Sequence, residues 1–387
     1  MQTSVAEIQG LYGPFTFPEK LLQQIWSRRD FDTASATTAD GRGITIIHTG
    51  KWNHHGGPDF KNARLRIGDA DVAGDVELHL RETDWHAHQH SADPAYANVV
   101  LHVVLFPPRQ PVTDGAIPIL TLLPLLRHDL EEYAADAAIE RLAGHSLAHV
   151  DKTLSTLPQA ELLATLASHA EKRWRQKIHY ARLRIERLGW EDACHHTALE
   201  ILGYSANRAA MLAIATAFPL KIWPHNSVDT IFGQTDAWAA QSTRPANQPK
   251  TRLRQYAAWV AARPNWPEIL RGFSLPKNAP KTDTVAAIRR ALKFSALRKR
   301  IAASVCADAL GGTRFDTLIV DGFFPLLAAH TGNPVLFELW KNWFVGDMPA
   351  QYPKLLRTLE VTGARDTPLH NGAAQGLLGF LIEAEAR

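Results

Sequence analysis

The run Val99–Leu105 restricts the fold more than any other stretch of the chain, because six of its seven residues are apolar. A strand with apolar side chains on both faces is typical of the covered centre of a sheet. The proline-containing segment 117–124 is a candidate edge strand. From Leu125 onward, apolar residues recur at helical spacing almost throughout. The sequence therefore predicts an α+β domain followed by a mainly α-helical domain, with bounds 1–125 and 126–387.

Turn residues and periodicity divide the chain further. The length of 387 residues favours two or three domains, and the prolines of 242–281 predict a sub-boundary within the helical part. In the N-terminal domain the predicted order is helix, three strands, short helix, strand. The predicted bounds are 18–29 for the first helix, 43–48, 63–67 and 72–80 for the strands, 94–98 for the short helix and 99–105 for the last strand.

Polar and apolar residues alternate in the strand that contains Glu77. Alternation places Glu77 and His79 on the same face, with Val76 and Leu78 on the other. A turn at Pro58-Asp59 brings a second carboxylate close to them. Two carboxylates and a basic group in one place can hold a divalent cation and activate a water molecule.

The charge of the chain is unevenly distributed. Residues 1–170 contain 13 Lys/Arg and 21 Asp/Glu, whereas residues 171–300 contain 23 and 9, a balance of +14. Such a basic segment suits a polyanion, above all DNA or RNA; solvated basic helix faces, or caps in the case of the Arg244–Arg252 loop, are the alternative. The predicted nucleic-acid contacts are Lys172, Arg175, Arg182, Arg244, Lys250 and Arg252.

Histidines are concentrated in the N-terminal domain, where eight of the 18 lie between His48 and His102. Imidazole is a good zinc ligand, but the alternating His86, His88 and His90 lie in a turn-rich context and no HExxH pattern is present. Surface histidines are therefore the alternative to a zinc site, and His102 in its apolar strand is predicted to be a hydrogen-bonded core residue.

Cysteine content and hydropathy bear on the compartment. Two cysteines give neither a disulfide framework nor a CxxC metal site. The sequence contains no window of 18 uncharged apolar residues and no signal-peptide core in its first 20 residues. These features predict a cytoplasmic protein without a membrane partner; they do not predict an oligomeric state.

Pro58-Asp59 followed by Glu77-Leu78-His79 resembles the motif of the PD-(D/E)XK nuclease superfamily, with His79 where that family has lysine. The predicted α-β-β-β-α-β order resembles its restriction-endonuclease-like core. The resemblance implies Asp59 and Glu77 as ligands of Mg²⁺ or Mn²⁺, Glu19 as a further acidic ligand, and His79 as the base that positions water. Histidine titrates near pH 6.5, whereas lysine is a fixed cation at neutral pH.

The chain also resembles a bacterial family catalogued as domain of unknown function 2851. The residues that carry this likeness include Gly57-Pro58-Asp59-Phe60, Gly74-Asp75-Val76-Glu77-x-His79, Asp84-Trp85-x-x-His88-x-His90 and Leu202-Gly203-Tyr204-x-x-Asn207. We expect first a magnesium-dependent nuclease. The alternatives are a non-catalytic nucleic-acid-binding or assembly protein on a degenerate nuclease fold and, from the histidines, a metallohydrolase of a small substrate.

Overall fold

A computed structural model describes most of the chain. The chain divides into two compact units, residues 1–137 and 138–387. The described residues are 5–11, 13–108, 117–144, 153–239, 247–276, 278, 280, 282 and 284–386. Arg244, one of the predicted nucleic-acid contacts, lies outside them.

The N-terminal unit is built on a mixed sheet. Its central part runs in the order β3-β5-β6-β7-β8, with the short β4 paired to β5. The β3/β5 and β5/β6 pairs are antiparallel, whereas β6/β7 and β7/β8 are parallel. A separate hairpin, β1/β2, precedes the first helix. The bounds are β1 Val5–Gly10, β2 Gly13–Pro18, α1 Glu19–Arg28, β3 Ile44–His48, β4 Lys51–Trp52, β5 Phe60–Ile67, β6 Ala70–His79, β7 Val99–Val104 and β8 Ile119–Thr121.

The prediction of a covered strand at Val99–Leu105 is confirmed, because β7 lies between β6 and β8. Leu101 and Val103 are fully buried in one core cluster with Leu78 of β6 and with Leu22 and Trp26 of α1. This side of the sheet is therefore the apolar one. Glu77 and His79, at alternate positions of β6, point to the other side.

The connection between β6 and β7 covers that second side. Parallel strands need a crossover connection, and here it consists of one helical turn, α2 (Asp84–Ala87), and two 3₁₀ turns, His90–Ala92 and Pro94–Tyr96. Asp93 is the N-cap of the last turn, since its carboxylate accepts a hydrogen bond from the Ala95 N–H at 2.9 Å. The short helix predicted over 94–98 is only a 3₁₀ turn over Pro94–Tyr96, since Ala97 and Asn98 form the turn that leads into β7.

One glycine permits the close approach of this connection to β6. A Cβ atom on Gly74 would lie 2.3 Å from Val100 Cγ1 and 2.7 Å from the Asn98 carbonyl oxygen. Real Cβ contacts are not this short, so any larger residue at position 74 would push β7 away from β6.

From Leu130 onward the long elements are helical, which confirms the predicted change of class. In α4, Gly189 (φ 77°) and Tyr204 (φ 55°) break the helical geometry into three stretches. The spacing of apolar residues predicts one helix over 285–303, but the structure has two, since the backbone of Lys293 (φ 50°) is left-handed. The bounds are α3 Leu130–Gly144, α4 Gln159–Ala217, α5 Val228–Phe232, α6 Pro249–Ala262, α7 Trp266–Arg271, α8 Val285–Ala291, α9 Phe294–Cys306, α10 Gly312–Thr317, a π-helix Leu318–Phe323, α11 Phe324–Thr331, α12 Val335–Asn342, α13 Gln351–Thr358 and α14 Asn371–Ala386.

The helical unit has its own aromatic core, in which one histidine is fully buried. His195 Nδ1 lies 2.7 Å from the Tyr256 hydroxyl, and His195 Nε2 lies 3.0 Å from the Phe218 carbonyl oxygen. Within the described parts of the chain, no helix has both the length and the apolar character needed to cross a membrane.

Candidate functional site

Asp59 and Glu77 meet where β5 begins. Phe60 pairs with Val76 across the two strands, so Asp59 lies directly before β5 and beside Glu77. The Asp59 N–H donates a hydrogen bond to Glu77 Oε2 at 2.9 Å. The Asp59 carboxylate accepts hydrogen bonds from the Leu78 N–H at 3.1 Å and from Gln23 Nε2 at 2.7 Å. These contacts fix both carboxylates at the end of the sheet.

Glu19 brings a third carboxylate to the same place. It is the first residue of α1, and its Oε2 atom is buried without a hydrogen-bond partner. Burial, followed by the Asp59 and Asp84 carboxylates, raises the pKa of Glu19 to about 8. A buried oxygen without a partner is costly unless a ligand satisfies it.

Asp59 and Glu77 also resist ionisation. Burial raises the pKa of Asp59 to about 6. Burial, with a further contribution from Asp59, raises the pKa of Glu77 to about 9. We call Glu19, Asp59 and Glu77 the carboxylate group. A divalent cation reverses such shifts, because it stabilises the ionised form of each acid.

His79 lies beside Glu77 at the centre of a second group. His79 Nε2 is 3.2 Å from His88 Nδ1 and 3.3 Å from His90 Nε2. Glu77 Oε1 lies 3.6 Å from His79 Nε2 and 3.3 Å from His90 Nε2. We call His79, His88 and His90 the imidazole group. Its three ligand nitrogens all lie within 4.8 Å of one another.

Aromatic packing of the crossover places His88 and His90 over β6. The His90 ring stacks on Tyr96 with 3.7 Å between centroids. The Trp85 ring meets the rings of His90 and His102 at 5.3 and 5.2 Å, and its Nε1–H donates to Ser91 Oγ at 2.9 Å. The crossover is therefore a packed layer, although it contains little regular structure.

His102 supports the imidazole group from the neighbouring strand. It pairs with Glu77 in the parallel register of β6 and β7, and its Nε2 lies 2.9 Å from His79 Nδ1. The pKa of His102 is lowered to about 4, mainly by burial and then by neighbouring histidines. His102 is thus a buried, hydrogen-bonded histidine, but its partner belongs to the candidate site.

Two polar residues of the site were not among those predicted from the sequence. Gln23 follows Glu19 by one helical turn, so both lie on the same face of α1; this spacing would have identified Gln23. Lys61 Nζ forms an ion pair with Asp75 Oδ2 at 3.0 Å, and Lys61 slightly opposes the rise in the pKa of Glu77. No short motif links Lys61 to the site, because its contact depends on the register of β5 and β6.

A cavity of about 670 Å³ adjoins the imidazole group. His90 and His102 line it together with the aromatic rings of Trp85 and Tyr96. His86, the remaining histidine of the alternating run, also lines this cavity and is exposed. The ligand geometry described above involves His79, His88 and His90; His86 lies outside it.

The predicted nucleic-acid contacts differ in their surroundings. Lys172 forms an ion pair with Glu383, Arg175 with Glu171, and Lys250 with Asp229 at 2.6 Å. Arg182 is exposed on α4. Arg252 is only 6 % exposed and donates hydrogen bonds to the Tyr204 hydroxyl and to Asn247 Oδ1. Arg252 therefore braces the segment before α6 instead of facing solvent.

Comparison with known proteins identifies the family. A family model described as Protein of unknown function (DUF2851) matches residues 19–237. The chain therefore belongs to this family, and its predicted resemblance to domain of unknown function 2851 is confirmed. No curated protein and no solved structure matches the chain.

Proposed function

We propose that this protein is a metal-dependent phosphodiesterase of the PD-(D/E)XK type that acts on nucleic acid. One observation carries the proposal: Asp59 and Glu77 meet at the start of β5, beside Glu19, whose buried Oε2 has no hydrogen-bond partner. The order of the elements also supports the proposal. It is α1, the antiparallel strands β3, β5 and β6, the crossover and the parallel strand β7, which is the order in that superfamily.

The residues fit a hard cation. Mg²⁺ takes oxygen ligands and keeps several of its waters, and Mn²⁺ accepts the same donors. Each oxygen of Asp59 and Glu77 in the contacts above retains a lone pair after its hydrogen bond. Glu19, Asp59 and Glu77 would hold the cation, which supplies Lewis-acid stabilisation of the phosphodiester and a more acidic water.

His79 contributes a neutral imidazole to this centre. Its pKa is lowered far below the usual range by burial and then by His102, His90 and His88. A neutral imidazole offers a lone pair to a water proton or to a cation, whereas the lysine of the superfamily motif offers a fixed charge. In the proposed reaction His79 therefore acts as an acceptor beside Glu77.

The helical unit would bind the nucleic acid. Its basic segment supplies exposed or partly exposed cations, namely Lys172, Arg175, Arg182 and Lys250. Contacts between such side chains and phosphates release counterions, so the affinity falls with salt. The buried Arg252 is not part of the proposed contact set.

Nuclease assays with single variants test the proposal. Asp59→Asn and Glu77→Gln keep the shape of each side chain but remove a charged ligand. We expect each to lower Mg²⁺- or Mn²⁺-dependent cleavage of DNA or RNA by at least about 100-fold. Nucleic-acid affinity should change by less than about twofold, since the contacts lie on other residues.

The matched control is Asp71→Asn. Asp71 also lies on β6 but is exposed and pairs with Arg66, so this variant should cleave like the parent. Equal cleavage by the parent and by Asp59→Asn would refute the assigned roles. Salt-sensitive binding without any cleavage by the parent would instead indicate a non-catalytic nucleic-acid-binding protein.

A further inference from the structure

The contacts of His79 cannot all be hydrogen bonds. Its Nε2 faces two other ring nitrogens at 3.2 and 3.3 Å and a carboxylate oxygen at 3.6 Å. Its Nδ1 faces a fourth acceptor or donor, His102 Nε2, at 2.9 Å. A neutral imidazole carries a single proton, so one ring nitrogen is a donor and the other is not.

The contact with His102 accounts for that proton. If His79 Nδ1 donates to His102 Nε2, then His79 Nε2 is a bare lone pair directed at His88 Nδ1 and His90 Nε2. In the metal-free protein an N–H of His88 or His90 can donate to this lone pair, and a bound cation can take the place of that proton. A metal-ligating histidine typically donates its second ring N–H to a neighbouring group, and His102 is placed to accept it.

The spacing of the nitrogens matches a small metal ion. Zinc binds imidazole nitrogen at about 2.0–2.1 Å, so two nitrogens of a tetrahedral site are about 3.3 Å apart. The measured separations from His79 Nε2 are 3.2 and 3.3 Å, and all three nitrogens lie within 4.8 Å of one another. The carboxylate group, in contrast, presents only oxygen ligands.

We propose that His79, His88 and His90 bind one zinc ion through Nε2, Nδ1 and Nε2, and that Glu77 stands beside this ion as a fourth ligand or as the acceptor of a metal-bound water. Three histidines with one further position are typical of a catalytic zinc centre, as opposed to a closed structural one. Imidazole also suits other borderline metals such as Cu²⁺ and Ni²⁺.

This inference goes beyond the proposed function, because it concerns a second metal of different chemistry. Glu77 would lie between the two metals, with Oε2 toward Asp59 and Oε1 toward the imidazole group. With zinc bound, the lone pair of His79 is committed to the metal, and His79 acts on water through that ion. The exposed His88 gives the ion a route from solvent.

Metal analysis of the purified full-length chain tests the site. The protein is stripped with a chelator, titrated with Zn²⁺ against a chromophoric competitor, and analysed by inductively coupled plasma mass spectrometry. We expect one zinc ion per chain. His88→Ala should weaken binding at least about tenfold, and it should leave the fold intact since His88 is exposed.

His86→Ala is the matched control, because His86 is an exposed histidine two residues away that lies outside the imidazole group. Its zinc affinity should stay within about twofold of the parent. Co²⁺ provides a spectroscopic readout: the parent should show intense visible bands of a tetrahedral centre, and His88→Ala should lose them. His90→Gln, which keeps a polar side chain of similar size, should also weaken binding.

The outcomes separate the two metal proposals. A parent that binds no zinc, or equal zinc affinity in His88→Ala and His86→Ala, overturns the zinc site. Asp59→Asn should still bind zinc while it loses Mg²⁺-dependent cleavage. Failure of zinc binding therefore leaves the carboxylate group untouched, and failure of cleavage leaves the zinc measurement standing.

Discussion

His79 in the sheet unit and His195 in the helical unit are equally buried, at 1 % and 0 % exposure, but their surroundings are opposite. His195 faces one hydroxyl and one carbonyl oxygen. A single tautomer satisfies both: Nε2–H donates to Phe218, and Nδ1 accepts from Tyr256. His79 faces three ring nitrogens and a carboxylate oxygen, which are more candidate partners than its one N–H and one lone pair.

The difference separates a structural histidine from a candidate metal ligand. Burial alone does not, since it lowers the pKa of both side chains. The informative property is whether the neighbours of a buried ring offer complementary donors and acceptors. In the helical unit they do, and the histidine stabilises the core. In the sheet unit the neighbouring groups outnumber the one donor and one acceptor of the ring, and the proposed zinc ion would be shared among them.

Replacing His195 should give the largest change in stability. We expect His195→Ala to lower the free energy of unfolding by about 2–4 kcal/mol, because it leaves a cavity and two polar groups without partners. The loss should be the same with and without zinc, as judged by urea denaturation. His225→Ala, at an exposed position of the same unit, should change stability by less than about 0.5 kcal/mol. A zinc-dependent loss in His195→Ala would break the comparison.

The carboxylate group should make metal-free stability fall at alkaline pH. A carboxyl whose pKa rises on folding binds its proton more tightly in the folded state, so stability decreases as pH rises toward the folded value. For Glu77 that value is about 9 and for Glu19 about 8. Between pH 6.5 and 8 we expect each to contribute a decrease of about 1 kcal/mol per pH unit.

Thermal melts of the chelator-treated protein across this pH range test the effect. Glu77→Gln should remove the part of the pH dependence of stability that Glu77 contributes. Added Mg²⁺ should flatten the slope, because the ionised carboxylates then have a partner. The lowered pKa values of His79, His102 and His195 act in the opposite direction and below pH 6.5, where stability falls as pH falls. A flat profile above pH 6.5 in the metal-free parent would contradict the assigned shifts.

The smallest predicted effect concerns Arg182, an exposed arginine on α4, and the salt dependence of nucleic-acid binding. We expect Arg182→Ala to reduce the slope of log affinity against log salt by about 0.9 for a DNA duplex, with no change in melting temperature. Arg66→Ala is the control, since Arg66 is an exposed arginine on β5 outside the basic segment. Equal slopes for Arg182→Ala and the parent would remove Arg182 from the contact set.

Local patterns were enough to predict much of the fold. The apolar run at 99–105 predicted the covered strand, and the helix predicted over 18–29 corresponds to Glu19–Arg28. The β1/β2 hairpin was not predicted, because its glycine and proline residues resemble a loop. The helical spacing also predicts separate helices over 160–188, 191–202 and 208–218, and Gly189 and Tyr204 break α4 at the two gaps between them.

The site was predictable only as far as strand pairing extends. Asp59, Glu77 and His79 lie close because β5 and β6 are neighbours in sequence and pair directly. His88 and His90 depend on the path of the crossover, which the rings of Trp85 and Tyr96 hold against the sheet. An alternating histidine pattern in a turn-rich segment contains no information about such packing, so a surface location was the simpler expectation.

The crossover has a consequence for the order of assembly. His79 and His102 are separated by only 23 residues, and Glu77, His88 and His90 lie close to or within that interval. Closing so short a loop costs little chain entropy, and short-range contacts form early in folding. This centre can therefore assemble while the helical unit is still being synthesised. A metal ion that binds the proposed site at that stage would stabilise the folded form of the N-terminal unit over its unfolded form.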